Sequence, residues 1–392
     1  MHELAASSSN ESRQLSDYVF SGLDVNVKDN SDKTALFYAV KDGSIDNLRK
    51  LIDLGANVSE TDNSGESLLH AASESNRSDV KEKIELLLDK GLSVNSKDSN
   101  GQTPLMEAAY HGNLSSLETF IEKGAELNLK DSAGKNALDL AVENKSSSTA
   151  EKLINTGIDF NTTVDNQSIL PRAAANDLGY VITVLVDKGM SVNLRDSDGE
   201  TPLFKAAESN SPSALSALIE KKADVNAEDN NGETPLYEVN GEDNMKALLN
   251  AGADPQKLIK NKGKMVMHYM IDNNSTELEI IENYSPSALK YRDSNGETLL
   301  HYAAENNQAD MFKLVWEKSG MNLTETDNNG DTPLHEAAYR GNDSVLNRIL
   351  EIVNDKFPFS RNDILNIRNN QSKTAAELAE TQGYSGTASL LR

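Results

Sequence analysis

Histidines and carboxylates are the groups in this sequence that could do chemistry. There are six histidines and 62 Asp plus Glu side chains, and no cysteine, which excludes disulfides, thiol nucleophiles and thiolate metal sites. His70, His268, His301 and His335 each stand three residues after Ser67, Met265, Thr298 and Thr332. Set apart at such regular intervals, they are not expected to converge on one metal at ligand distances of about 2 Å. His2 lies at the terminus, and His111 falls in a variable position. Asp98, Asp131, Asp196, Asp229, Asp293 and Asp327 are spread just as evenly. A glycosidase-type carboxylate pair could be drawn anywhere among them and is specified nowhere. No Gly-x-Ser-x-Gly, Walker-type, His-Glu-x-x-His or EF-hand pattern occurs. No catalytic, cofactor-binding or metal site is expected.

Charge and hydropathy narrow the partners. Lys plus Arg is 38, so the net charge is 38 − 62 = −24 over 392 residues. A nucleic-acid backbone and an anionic membrane surface both call for clustered cations, and neither is expected as a partner. The longest apolar stretch, Tyr180 to Val186, is far below the ~20 residues of a membrane span. Met1 to Arg13 has no cationic region followed by an apolar run, so no secretory signal is expected.

The elements that position these residues are set by a repeat. Thr103-Pro104-Leu105 recurs at Thr201, Thr234 and Thr332, and weaker copies begin at Thr34, Ser67, Asn136, Ser168, Met265, Thr298 and Thr374. Successive starts are 33, 36, 33, 32, 33, 33, 31, 33, 34 and 42 residues apart. Thr, Ser and Asn cap a helix, and Pro suits its first position because the missing N–H is not needed there. Leu and paired alanines then share one helical face, where small residues let neighbouring helices approach. A second apolar stripe follows, as in Leu114, Leu117, Phe120 and Ile121. Of the 23 glycines, 20 fall in three turn slots of the repeat, and Asp32, Asn166 and Ser372 replace Gly in one of these slots. A phosphate-cradling loop has little left to draw on. Each unit is too small to bury its own apolar face, so stacking must supply the core.

The pattern resembles the ankyrin repeat. Asp327-Asn328-Asn329-Gly330-Asp331-Thr332-Pro333-Leu334-His335-Glu336-Ala337-Ala338 follows the family form, and Gly55-Ala56-Asn57-Val58 and Ala223-Asp224-Val225-Asn226 follow its tail. The resemblance implies an all-α solenoid of helix pairs with β-turn or hairpin fingers, about eleven repeats plus an N-terminal half-repeat. Residues 1–26 are expected as that capping half-repeat, 27–234 as repeats 1–6, 235–290 as divergent repeats 7–8, 291–352 as repeats 9–10, and 353–392 as an inserted loop and a C-terminal capping repeat. It also implies that the histidine of the Thr-Pro-Leu-His slot orders adjacent turns through hydrogen bonds. Proteins of the family bind partners with the finger turns and the concave face of the first helices. Carried over here, that face holds Tyr110, His111, Tyr339 and Arg340, and the fingers hold Asn100, Asn231, Asn295 and Asn329. Tyr and Arg are enriched at interface hot spots, whereas the asparagines also simply make good turns.

Departures from the repeat are expected to matter most. Unit seven is short, and unit eight has Met265-Val266-Met267-His268 in the capping slot. Either drift in a tolerant repeat or a bend within 235–290 fits this. Lys257, Lys260, Lys262 and Lys264 form a basic island there. The 42-residue spacing inserts about nine residues around Phe357-Pro358-Phe359, read as part of the C-terminal cap. Trp316 aligns with Ile121 and is read as packing.

The expected function is therefore a non-catalytic protein-binding scaffold or regulator, monomeric, cytoplasmic, with a protein partner that carries a basic patch. An alternative is a bacterial effector or inhibitor secreted into a host cytosol, because richness in Asn, Ser, Asp and Lys resembles AT-rich bacterial genomes. An enzyme with its site in 235–290 or 353–361 has too little chain for a catalytic domain. An acidic mimic of nucleic acid is a further alternative, and charge spread around the turns counts against it.

Overall fold

The computed structural model describes residues 1–164, 167–257 and 286–392, together with Met267 and Asn283. His268, Asn166, Lys260, Lys262 and Lys264 lie outside the described residues, as does most of the later half of the 235–290 segment. The chain forms two compact units, residues 1–196 with 213–222 and residues 197–212 with 223–392.

The first unit is built of antiparallel helix pairs. They are α1 (His2–Ala5) and α2 (Ser12–Phe20), α3 (Ala35–Lys41) and α4 (Ile45–Asp53), α5 (Leu68–Ser73) and α6 (Val80–Asp89), α7 (Pro104–Tyr110) and α8 (Leu114–Glu122), α9 (Ala137–Glu143) and α10 (Ser147–Thr156), and α11 (Ile169–Ala175) and α12 (Gly179–Asp187). First helices pack on first helices and second helices on second helices along this series. The N-terminal segment thus carries both helices of a pair, with α1 cut to one turn. A two-residue hairpin, β1 (Thr163–Val164) with β2 (Gln167–Ser168), precedes α11, Thr163 standing opposite Ser168. Of the next pair, α13 (Pro202–Glu208) falls in the second unit, and α14 (Pro212–Glu220) falls in the first except for Pro212.

The second unit continues with α15 (Glu242–Asn250), a 3-10 turn at Pro286–Lys290, α16 (Leu299–Glu305), α17 (Ala309–Ser319), α18 (Pro333–Arg340), α19 (Asp343–Lys356), α20 (Arg361–Leu365), α21 (Ala375–Thr381) and α22 (Ser385–Leu390). Helix α16 packs on α18, α18 on α21, and α17 on α19. The insertion expected as a loop is largely helical. It lengthens α19 to 14 residues, against nine in α8, and adds α20. Phe357 follows α19 and meets Trp316 edge-on at 6.5 Å, while Phe359 is fully exposed. Trp316 is half-buried, as is Ile121 at the aligned position.

Some capping residues do what their types dictate, while Thr34, Ser168 and Thr201 head their helices without a side-chain cap bond. Asn136 accepts from the N–H groups of Leu138 and Asp139, and the Asp139 carboxylate accepts from the Asn136 N–H in return. Asn113 and Asn342 head the second helices, and their amides reach back across the repeat. Asn342 Nδ2 donates to the Ala304 and Glu305 carbonyls at 2.8 and 2.7 Å, and Asn113 makes the equivalent bonds to Ser73 and Ser75. These bonds satisfy carbonyls at the ends of the preceding first helices.

The finger turns consume most of the evenly spaced aspartates. Asp98 Oδ1 accepts from the N–H groups of Asn100 and Gln102, and Asp131, Asp229, Asp293 and Asp327 repeat the arrangement. Adjacent fingers join through backbone bonds such as Ser132 N–H to the Asn100 carbonyl and Asn328 N–H to the Asn295 carbonyl. The acidic excess is therefore partly structural. Asp32 and Ser372, standing where other repeats have glycine, adopt φ of 61° and 60°. Among the described residues no helix is long and apolar enough to cross a membrane.

Candidate protein-binding surface

Helices α7 and α18 each end on an exposed tyrosine that shares a cavity with finger residues, and this geometry places the expected binding residues. In α7, Tyr110 is 40% exposed and stacks edge-on against His111, with ring centroids 5.3 Å apart. His111 Nε2 lies 3.3 Å from Glu107 Oε2, and that hydrogen bond raises the histidine pKa above its ordinary value. In α18, Tyr339 is 44% exposed, and the Arg340 guanidinium stands 6.0 Å from its ring centroid while pairing with Glu305.

Asn100, Asn231, Asn295 and Asn329 are all exposed at finger tips. The side-chain amides of Asn100, Asn231 and Asn329 fold back onto the turn aspartates Asp98, Asp229 and Asp327. Each of these three therefore braces its own turn.

Two polar cavities open on this face, one in each unit. The first, about 430 Å³, is bordered by Asn100, Gln102, Glu107, Tyr110, Asp131 and Leu140 among others. The second, about 350 Å³, is bordered by Glu297, Asn329, Asp331, Glu336, Tyr339, Arg340 and Leu378 among others. The structure thus gathers Asn100 with Tyr110, and Asn329 with Tyr339 and Arg340. The sequence reading missed Glu107, Glu336, Leu140 and Leu378. Aligning the repeats on their capping residue would have exposed them, because Glu107 and Glu336 both stand four residues after their threonines.

Around the second cavity carboxylates crowd together. One oxygen each from Glu297, Asp327 and Glu336 lie within 4.8 Å of one another. Burial, reinforced by Asp293, pushes Glu297 up to about 7. Burial, reinforced by Asp331 and Glu297, does the same to Glu336. Burial also drives the Tyr302 hydroxyl upward, and it donates to Asp293 Oδ2 at 3.2 Å. Among the described residues these three carboxylates are the set that could approach a single cation, although Asp327 is already committed to its own turn.

The three described histidines of the capping slot, His70, His301 and His335, bond within their own turns and to the next repeat. His301 Nδ1 accepts from the Thr298 N–H at 3.1 Å, so its Nε2 carries the proton donated to the Asp331 carbonyl at 2.9 Å. His70 and His335 repeat this with the Gln102 and Lys373 carbonyls. Burial lowers all three, His301 to about 4, which keeps the rings neutral. A profile of the family described as ankyrin repeats (3 copies) matches residues 3–98, 79–164, 170–259, 238–327 and 267–362. The chain belongs to the ankyrin-repeat family. In this ankyrin-repeat chain 83 residues are 32% identical to serine/threonine-protein kinase 12 of Arabidopsis thaliana, covering 21% of the chain and 17% of that kinase's length. The ankyrin repeat domain of Bcl-3 is 23% identical, with a TM-score of 0.46, over 55% of this chain and 98% of that one.

Proposed function

We propose that this chain is a non-catalytic protein-binding module that holds a partner with a basic surface against its finger turns and first-helix ends. The observation that carries the reading is the pairing, in both units, of an exposed tyrosine with a polar cavity on the same face. Tyrosine supplies contact area at low entropic cost, and a net charge of −24 favours a cationic partner. The ankyrin-repeat fold supports the same reading, since repeat stacks present extended surfaces for macromolecules.

Proximity labelling in the native cell, followed by capture with the purified chain, tests it. Capture should weaken with added salt, because exposed charge pairs are screened. It should fall at least tenfold when Tyr110→Ala and Tyr339→Ala are combined, a loss of roughly 1.4 kcal/mol. Unchanged capture by the double variant rules this face out. The module acts as a monomer in the cytosol, which light scattering and fractionation check. The Asn-, Ser-, Asp- and Lys-rich composition supports a second reading within the same class, an effector or inhibitor secreted towards another cell's protein. A secretion assay separates the two.

A further inference from the structure

The walls of the two cavities are built alike. Asn100, Glu107 and Tyr110 border the first, and Asn329, Glu336 and Tyr339 border the second. Each pair is offset by the same amount: 329 − 100, 336 − 107 and 339 − 110 all give 229. The fourth pair, Leu140 and Leu378, comes from the following repeat and is offset by 238, which is 229 plus the nine-residue insertion. No other repeat has Asn, Glu and Tyr at these three positions. Asn231 is followed by Glu238 but then Gly241, and Asn295 by Tyr302 and Glu305.

That constellation has a chemical match. Leucine and a tyrosine ring offer an apolar wall for methylene groups, and the glutamate offers a charge at one end with an asparagine amide beside it. A long stem ending in a cation satisfies all four groups. A seam of the first unit already holds such a cation. Lys33 Nζ sits 3.3 Å from Asp62 Oδ2 and 3.5 Å from Glu66 Oε2, and 5.9 Å from the Phe37 ring centroid. Counted from the capping residue, the same three positions at the second cavity are Glu297, Asp327 and Asp331. The acids are kept there and the lysine is replaced by glutamate. The chain's own cations that border the two cavities are turned to other acids, Lys135 to Glu143 at 2.6 Å and Arg340 to Glu305. That leaves Glu336, and Glu107 beyond its bond to His111, to meet a cation brought by a partner.

We propose that the two cavities are a matched pair of seats, each for one lysine or arginine side chain of a protein partner. This rests on the reading of the face as partner-binding and specifies the chemistry of the side chain that each seat takes from the partner.

The test uses the full chain with labelled leucine methyl groups, titrated with Nα-acetyl-arginine N-methylamide. Its citrulline counterpart is the neutral control. The Leu140 and Leu378 methyl signals should both shift and saturate in the millimolar range, while the signal of buried Leu117 stays still. Glu107→Gln should weaken the Leu140 response about tenfold and leave Leu378 unchanged, and Glu336→Gln should do the reverse, as expected for loss of a charge-assisted contact. Unshifted methyl signals in the unligated variants verify that each still folds. Failure of both leucines to respond, an equal response to citrulline, or indifference to the glutamate changes overturns the proposal. These outcomes are separate from partner capture. If the tyrosine double variant loses the partner while the arginine probe moves neither leucine, the binding face stands and the paired seats fall.

Discussion

Lys83 Nζ donates to the carbonyl oxygen of Gly43 at 2.6 Å, spanning 40 residues of sequence. The same ammonium bonds the Val40 carbonyl at 3.0 Å and lies 3.3 Å from Asp79 Oδ1, with its side chain fully buried. Helix α6 is thereby tied to the end of α3 in the preceding repeat. A second residue closes the same corner: a Cβ built on Gly43 would come within 2.0 Å of the Ala5 carbonyl oxygen, so no larger residue fits there.

Replacing Lys83 by methionine keeps the stem and removes the charge. Two carbonyls lose a donor, and Asp79 keeps Arg77 and the Ile45 N–H but loses its buried cation. The expected cost is about 2–4 kcal/mol. In a repeat array the damage should stay local. Hydrogen exchange should therefore quicken across α3 to α7, while α16 to α19 keep their protection. Equal protection of α3 and α6 in the variant and the parent would mean that the buried ammonium does not hold this corner together.

Leu117 tests the stacking itself. It is fully buried in α8, whose neighbours are the second helices on either side. Leu117→Ala should cost about 2–5 kcal/mol and loosen α6 and α10 along with α8. A loss under about 0.5 kcal/mol, far below that range, would place this residue outside the core.

The fold was legible in the sequence because its determinants are local and repeated. Thr103, Asn136 and Thr332 announce helix starts by type alone, and the glycine slots announce turns. The slot histidines were also legible once the repeat was aligned, since His301 bonds within its own capping turn and to the next finger. The course of the insertion was not, because nothing local says whether Phe357-Pro358-Phe359 ends a helix or spans a loop. The extra turns of α19 are held by burial of Ile352 and Val353, which only tertiary packing decides. The cavities were half legible. Tyr110 and Tyr339 stood out by type, but Glu107 and Glu336 looked like ordinary helix-surface acids. Their significance comes from elements about a full repeat away, such as the finger carrying Asp131 and the leucine of the next first helix.

Acid should weaken the second unit through its slot histidines. His301 is depressed to about 4 by burial, below its ordinary 6.5, so the unfolded chain takes up a proton that the folded one refuses. The stability it contributes is complete above pH 6.5 and is lost as the pH falls towards 4. His301→Asn removes the titration at the expense of the bond to the Asp331 carbonyl. Urea unfolding followed by the fluorescence of Trp316, the single tryptophan, should show the parent losing stability between pH 6.5 and 4.5 more steeply than the variant. Parallel pH profiles would mean that the ring protonates as readily in the folded state as in the unfolded one.

The crowded carboxylates act with the opposite sign. Glu297 and Glu336 are raised to about 7 from an ordinary 4.5, so the folded state holds protons that the unfolded chain has released. Their contribution is complete below pH 4.5 and is lost as the pH rises through 7. Glu336→Gln keeps the shape and removes one member of the cluster with Glu297 and Asp327. At pH 8 this variant should be more stable than the parent by about 1–2 kcal/mol, since relief is shared among coupled groups. At pH 4.5 the two should differ little. The same Trp316 unfolding curves, recorded at both pH values, read the difference, because α17 and α19 pack on each other within the repeats that carry the cluster. A variant no more stable than the parent at pH 8 would mean that Glu336 is ionised there at no cost, with the surrounding acids too well solvated to oppose it.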